Sequence, residues 1–191
     1  ERAERMFYQP GITYELMAQE LRSAKLLLDE VLVLDPTFAE AYVIRGQTHY
    51  YLESPEQAYL DLDKAIQILP SFRRAYWMRG WIHTQDAQES LITTDGLHPD
   101  EEDLVHTAEN SQTMRNPRAQ ELLRLAQADF EQVLRLADSD LDRSYAQAMI
   151  AHAQGEDVRA IQCWNRYLAV VCTDALSFRD RGDCYWGVRN Y

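Results

Sequence analysis

The side chains best able to ligate a metal or to act as nucleophile and base are three cysteines, Cys163, Cys172 and Cys184, and five histidines, His49, His83, His98, His106 and His152. An odd number of cysteines with no CxxC spacing argues for small apolar residues in a helical core rather than a zinc knuckle or a disulfide framework. It also points to a reducing compartment. His49 and His83 occupy equivalent places in two similar stretches, which reads as core packing. His98 and His106 flank the acidic run Asp100–Asp103. Imidazole and carboxylate are both ligand types, but the spacing follows no ligand pattern, and a solvated acidic loop is the better reading. No metal and no cofactor are expected. There is no phosphate-binding glycine loop, nucleophile elbow or HExxH, and no Ser/His/Asp or Cys/His set can be tied together along the sequence. The chain reads as a non-enzyme.

The bulk numbers narrow the remaining classes. The chain has 191 residues, 46% hydrophobic and 26% charged, enough to fold around a core. Seven glycines and six prolines are too few for a β-sandwich with a turn every ten residues or so. Lys and Arg number 19 against 31 Asp and Glu, a net charge of −12. Nucleic-acid affinity comes from cations that neutralise phosphates, so no nucleic-acid partner is expected. No apolar run approaches the ~18 residues of a membrane span, and no signal-peptide pattern is present. The expectation is a cytoplasmic protein that does not bind membranes.

The elements that carry these side chains recur. Ala41-Tyr42-Val43-Ile44-Arg45-Gly46 returns as Ala75-Tyr76-Trp77-Met78-Arg79-Gly80, 34 residues later. Phe178-Arg179-Asp180-Arg181-Gly182 repeats the aromatic-to-glycine part. Amphipathic runs follow: Ala24…Leu28…Val31…Pro36, Ala58…Leu62…Ala65…Pro70, Ala126…Phe130…Val133…Asp138 and Ala160…Trp164…Tyr167…Cys172. Spacings of four and three mark one helical face. Pro36 and Pro70 end their helices by removing a donor and clashing with the preceding turn. A glycine costs about 1 kcal/mol in a helix interior relative to Ala, so Gly46, Gly80 and Gly182 make sense where a neighbouring helix comes close, as Ala58 would.

This pattern resembles the tetratricopeptide repeat (TPR), a 34-residue helix–turn–helix unit. In 39–72, Tyr42, Gly46, His49, Ala58, Leu62, Ala65 and Pro70 fall at the positions of the family's pattern, with His49 and Leu62 departing from its usual Tyr and Phe. The resemblance implies an all-α fold, a right-handed α-solenoid of stacked repeats with one long inter-helix insertion. The expected units are a partial N-terminal repeat (1–38), a full repeat (39–72), an interrupted repeat (73–140), a further repeat (141–174) and the first helix of another repeat or a capping helix (175–191). In the interrupted unit the first helix is expected to end near Gln85. The insertion, about 84–117, holds eight acids and one base, a net of −7. A short helix is expected from about Pro99 to Glu109, and a long one from Pro117 to Ala137, capped by Asn116. Both ends read as cut: Pro10-Gly11 separates Glu1–Gln9 from Ile12–Leu34, and Phe178–Tyr191 has no following partner. A segment of a longer repeat protein, or a chain continued by another subunit, is implied.

The resemblance further implies a concave groove lined by first helices. Carried over by register, the lining is Glu40, Val43, Gln47, Tyr50 and Tyr51, then Arg74, Trp77, Trp81 and Thr84, then Asp142, Tyr145, Met149 and His152, and finally Arg179 and Trp186. The ring set Tyr50, Trp77, Trp81 and Tyr145 would converge there, and rings of this kind favour binding hot spots. The Lys/Asn/Arg clamp with which some members hold chaperone tails is absent: Val43, Gln47, Met78, Asp142 and Ala146 stand at its positions. A peptide or amphipathic helix of a partner protein, apolar with a basic flank, fits better, with Asp100, Glu101, Glu102 and Asp103 as a second contact. The leading expectation is a protein–protein interaction module or scaffold. The alternatives are self-assembly through open repeat ends, a regulatory segment of a larger protein, and an acidic inhibitor or immunity-type protein.

Overall fold

The computed structural model describes residues 14–92, 116–172 and 175–189. The described residues form eight helices and no strand: α1 (Tyr14–Leu34), α2 (Ala39–Tyr51), α3 (Pro55–Ile68), α4 (Arg73–Ile92), α5 (Pro117–Arg135), α6 (Asp140–Ala153), α7 (Asp157–Leu168) and α8 (Ala175–Arg189). They fall into two compact units, residues 1–79 and 80–191, with the boundary inside α4. Among the described residues no helix is long and apolar enough to cross a membrane.

Each helix buries one stripe. On α3 the buried residues are Ala58, Asp61, Leu62 and Ala65; on α5 they are Ala119, Ala126, Asp129, Phe130 and Val133. The steps of three and four between them place these side chains on one face. Consecutive helices therefore pack in pairs: α1 with α2 and α2 with α3 in the first unit, and α5 with α6, α6 with α7 and α7 with α8 in the second. The ends follow from local chemistry. α1 stops before Asp35-Pro36, where Asp35 Oδ1 accepts from the Thr37 amide (2.9 Å) and hydroxyl (2.7 Å). Pro55 and Pro117 each open a helix, where the missing N–H is no loss. Asn116 caps α5, its Oδ1 accepting from the amides of Arg118 (3.0 Å) and Ala119 (3.1 Å).

The turns closing α2 and α6 are alike. Glu53 (φ 58°) and Gly155 (φ 69°) take the left-handed conformation one residue past the helix caps Leu52 and Gln154. In each, the next amide reaches back to the last turn, Ser54 N to His49 O and Glu156 N to Ala151 O, both 2.9 Å. Glycine adopts this backbone freely, whereas Glu53 does so under strain.

α4 continues to Ile92, past the end expected near Gln85. Its added turns have packing to make. Ala87 and Ala119 are buried against each other's surroundings with Leu122 and Leu123, and the Asn116 side-chain amide donates to Ser90 O (3.1 Å). The expected helix over Pro99–Glu109 and the acidic run Asp100–Asp103 lie outside the described residues.

The repeated glycines separate into two kinds. A Cβ at Gly46 would sit 3.1 Å from Ala58 O and 3.2 Å from Leu62 Cγ; at Gly80 it would sit 3.1 Å from Asp129 Cβ and from Phe130 ring atoms. At Gly182 it would meet nothing within 4 Å among the described residues. Gly46→Ala should therefore destabilise the protein by about 1 kcal/mol net, because a backbone carbonyl stands in the way and helix propensity recovers only part of the strain. Gly182→Ala should stabilise it by about 0.5–1 kcal/mol. Urea midpoints of the two variants should move in opposite directions.

Candidate functional site

A single side-chain device recurs along the first helices of the repeated stretches. Arg45, on α2, holds Asp61 on α3 with two parallel bonds (Nε–Oδ2 2.8 Å, Nη2–Oδ1 2.6 Å) and Asp29 on α1 with a third (Nη1–Oδ1 2.8 Å). Its guanidinium also lies over the Tyr42 ring at 5.4 Å. Arg79 lies over Tyr76 and donates to Asp63, and Arg181 lies over Phe178 and donates to Asn165 Oδ1 at 2.8 Å. Each arginine thus reaches a residue sixteen positions earlier: Asp29, Asp63 or Asn165.

The charges respond to this setting. The bonds to Asp61, opposed by burial, hold the Arg45 guanidinium even more firmly protonated than usual. Burial works to raise the Asp29 carboxyl, but the hydrogen bonds from Lys25 and Arg45 outweigh it and hold the group below the ordinary carboxylate range. His49 Nε2 stands 3.9 Å from Asp61 and His83 Nε2 4.0 Å from Asp129, the same contact in two copies. Burial pushes the His49 imidazole down despite the Asp61 charge.

The groove set falls into three groups. Val43, Tyr50, Trp81, Thr84 and Met149 are buried and serve packing rather than an open surface. Exposed Glu40 and Arg74 pair with each other across one repeat length (3.2 Å). Gln47, Tyr51, Trp77, Asp142, Tyr145 and His152 are half-buried. Tyr51 packs edge-on to Tyr50 at 5.8 Å. Tyr145 packs edge-on to Trp164 (5.2 Å) and Tyr167 (5.1 Å), so its ring completes an aromatic cluster on α7. Tyr50 and Trp77 belong to the first unit, Trp81 and Tyr145 to the second, and each is described within its own unit. The side chains of Arg179 and Trp186, like Asp100–Asp103, lie outside those described.

Among the described residues, one face of α8 is left uncovered. Phe178 (39% exposed), Arg181, Gly182 and Tyr185 (47% exposed) lie at helical spacing, with Val188 (38%) beyond. This is the aromatic-x-x-Arg-Gly line that α3 covers at Gly46 and α5 at Gly80. No described helix covers it at Gly182. No protein-family model matches the chain, and no curated protein matches it.

The opposite side of α8 holds a constellation that sequence reasoning missed. Cys184 Sγ lies 3.3 Å from His152 Nδ1 on α6, and a carboxylate oxygen of Asp157, at the start of α7, completes a group within 4.8 Å of one another. Left-handed Gly155 makes the turn that brings Asp157 back toward His152. Burial pushes the Asp157 carboxyl up, partly offset by His152. Glu40 meets Arg74 at a separation of 34 and His152 meets Cys184 at 32. Sliding the repeat along itself was the signal that could have paired them.

Two outcomes follow for the arginine device. Asp61→Ala leaves the part-buried Arg45 with only Asp29, and should cost about 3 kcal/mol in urea unfolding. The native Asp29 carboxyl titrates below its unfolded value of 3.8, so its contribution is full above that value and fades as pH falls through the native one. Asp29→Asn should remove that part of the acid sensitivity, flattening the stability–pH curve below about pH 4.

Proposed function

We propose that the chain is a protein-interaction module of the tetratricopeptide-repeat type, an α-solenoid segment whose Phe178–Gly182–Tyr185 face of α8 takes up a further amphipathic helix, from a partner protein or from chain beyond residue 191. The observation that carries this reading is Gly182. At Gly46 and Gly80 the same line receives a helix closely enough that no Cβ would fit comfortably, and at Gly182 a Cβ would meet nothing within 4 Å among the described residues.

The pattern proposed for the occupant is taken from the chain's own filled copies. α3 presents Ala58-Tyr59-Leu60-Asp61-Leu62 and α5 presents Ala126-Gln127-Ala128-Asp129-Phe130. Both read Ala-x-x-Asp followed by Leu or Phe. The alanine permits close approach, the aspartate meets the polar side chains of the facing helix, and the apolar residue covers the glycine. A partner helix with this pattern would place its aspartate toward Arg181, which already donates to Asn165. The partner is thus an amphipathic helix with an acid on its apolar face, docked by the helix-in-groove mode. A second copy is a poorer occupant, because α1 carries Leu27 where α3 carries Asp61.

The test uses a stapled peptide of residues 55–68 as probe, with the full chain titrated by fluorescence anisotropy. Binding should weaken at least about tenfold when Gly182→Leu fills the slot, a substitution the open space admits without strain. An Asp61→Asn probe should also bind more weakly. Equal binding by wild type and Gly182→Leu would reject the α8 face. Concentration-dependent dimerisation abolished by Gly182→Leu would replace the foreign helix with a second copy.

A further inference from the structure

The His152–Asp157–Cys184 group offers one nitrogen, one oxygen and one sulfur donor from three separate elements, α6, the start of α7 and α8. The set is chemically mixed in a way that core packing does not require. A core cysteine needs no imidazole at 3.3 Å, and a half-buried carboxylate is ordinarily hydrogen-bonded. Asp157 has no side-chain hydrogen bond or ion pair among the described residues, whereas the neighbouring Glu156 is held by Arg159 at 2.8 Å.

We propose that His152, Asp157 and Cys184 bind one divalent transition-metal ion of the zinc class. The distances suit it. Tetrahedral zinc holds sulfur at about 2.3 Å and nitrogen or oxygen at about 2.0–2.2 Å, which sets the ligand atoms roughly 3.3–3.6 Å apart. The sulfur–nitrogen separation of 3.3 Å is a few tenths of an ångström under the ~3.5 Å that these bond lengths give for a tetrahedral S–Zn–N angle, and the group as a whole lies within 4.8 Å. Small side-chain adjustments bring the three donors to one ion. The thiol gives up its proton to solvent as the ion binds, so thiolate and carboxylate together neutralise the metal charge. Thiolate and imidazole favour zinc or cobalt over magnesium or calcium, which take oxygen ligands.

The alternative chemistry for a cysteine beside a histidine is nucleophilic catalysis. Cys184 is fully buried, which denies an external substrate access to the sulfur. A bare ion needs much less room. Asp157 lines an open hollow with Gly155, Val158, Gln162 and Val188, so the carboxylate end of the group lies beside open space. The face of α8 that carries Cys184 is about 200° around the helix from Gly182, so the proposed partner helix does not touch the metal site.

Metal-free full chain, kept reduced with a non-thiol reductant, is titrated with Zn²⁺ against a chromophoric chelator and, separately, with Co²⁺ in the spectrophotometer. One ion per chain is expected, with a thiolate-to-cobalt charge-transfer band. Cys184→Ser should abolish that band and lower zinc affinity more than tenfold; loss of an outer-shell partner alone already costs about ten- to hundredfold. Asp157→Asn, at a half-buried position, should lower affinity by at least about tenfold with unchanged helicity. The His98→Ala, His106→Ala double variant should bind as wild type. The proposal is overturned by stoichiometric zinc binding that survives Cys184→Ser, by the absence of a thiolate band with Co²⁺, or by loss of binding in the His98/His106 variant alone. If Cys184→Ser does not fold, the Asp157→Asn affinity decides: an unchanged value with intact helicity overturns the site.

Discussion

The distance of closest approach between paired helices governs the rest of this molecule. At Gly46 and Gly80 the facing helix comes so near that a single added carbon would stand 3.1 Å from its neighbours. That proximity is possible only because small residues oppose small ones: Ala41, Ala58 and Ala65 in the first unit and Ala119, Ala126 and Ala160 in the second are all buried to within 1% of completeness. Backbones this close leave no gap for water, and packing at interior density then makes each buried methyl count. A larger residue at any of these places would separate the helices and loosen every contact beside it.

Close approach fixes spacing but not register, since an alanine stripe can slide. The polar contacts supply that second constraint. A buried aspartate is costly unless paired, and Arg45 satisfies Asp61 with two bonds in a planar fork while holding Asp29 on the preceding helix. One guanidinium therefore aligns three helices at once. The stretch over 141–174 solves the same problem differently. Gln147 and Ala148 replace the Arg-Gly pair and Cys163 replaces the aspartate, while Tyr145, Trp164 and Tyr167 interlock edge to face. Ring volume and quadrupole geometry take over from charge there.

These two devices explain what could be read from the sequence and what could not. The helical stripes were legible because burial imposes the three–four spacing directly: Ala58, Leu62 and Ala65 are all buried as that spacing requires. Asn116-Pro117 was legible as a helix start because capping is a local interaction. The length of α4 was not, since its extra turns are held by Ala119 and Asn116, residues far along the chain. The groove residues divided for a related reason. Helical register assigns a face, but how deeply a face is covered depends on the neighbouring helix, so Val43, Tyr50, Trp81 and Met149 went into the packing while Glu40 stayed exposed. The His152–Cys184 contact was hidden because it joins two helices that are not consecutive, where neither the three–four helical spacing nor a ligand motif points and the repeat offset of 34 comes only near the separation of 32.

α8 brings both kinds of surface onto one element. Residues two apart on a helix point nearly oppositely, so Cys184 faces inward to His152 while Gly182 faces outward with its neighbouring rings. The outward face has little apolar burial, with Phe178, Tyr185 and Val188 all more than a third exposed. Hydrophobic stabilisation scales with area removed from water, so α8 depends heavily on its inward contacts with α7 and on the cysteine side. A ligated ion joining α6, the start of α7 and α8 would add directional bonds where apolar area is scarce, much as metals substitute for core in small domains. The inward constraint and the outward face then act on the same backbone: whatever fixes the pitch and position of α8 at Cys184 also fixes the placement of Gly182 one half-turn away.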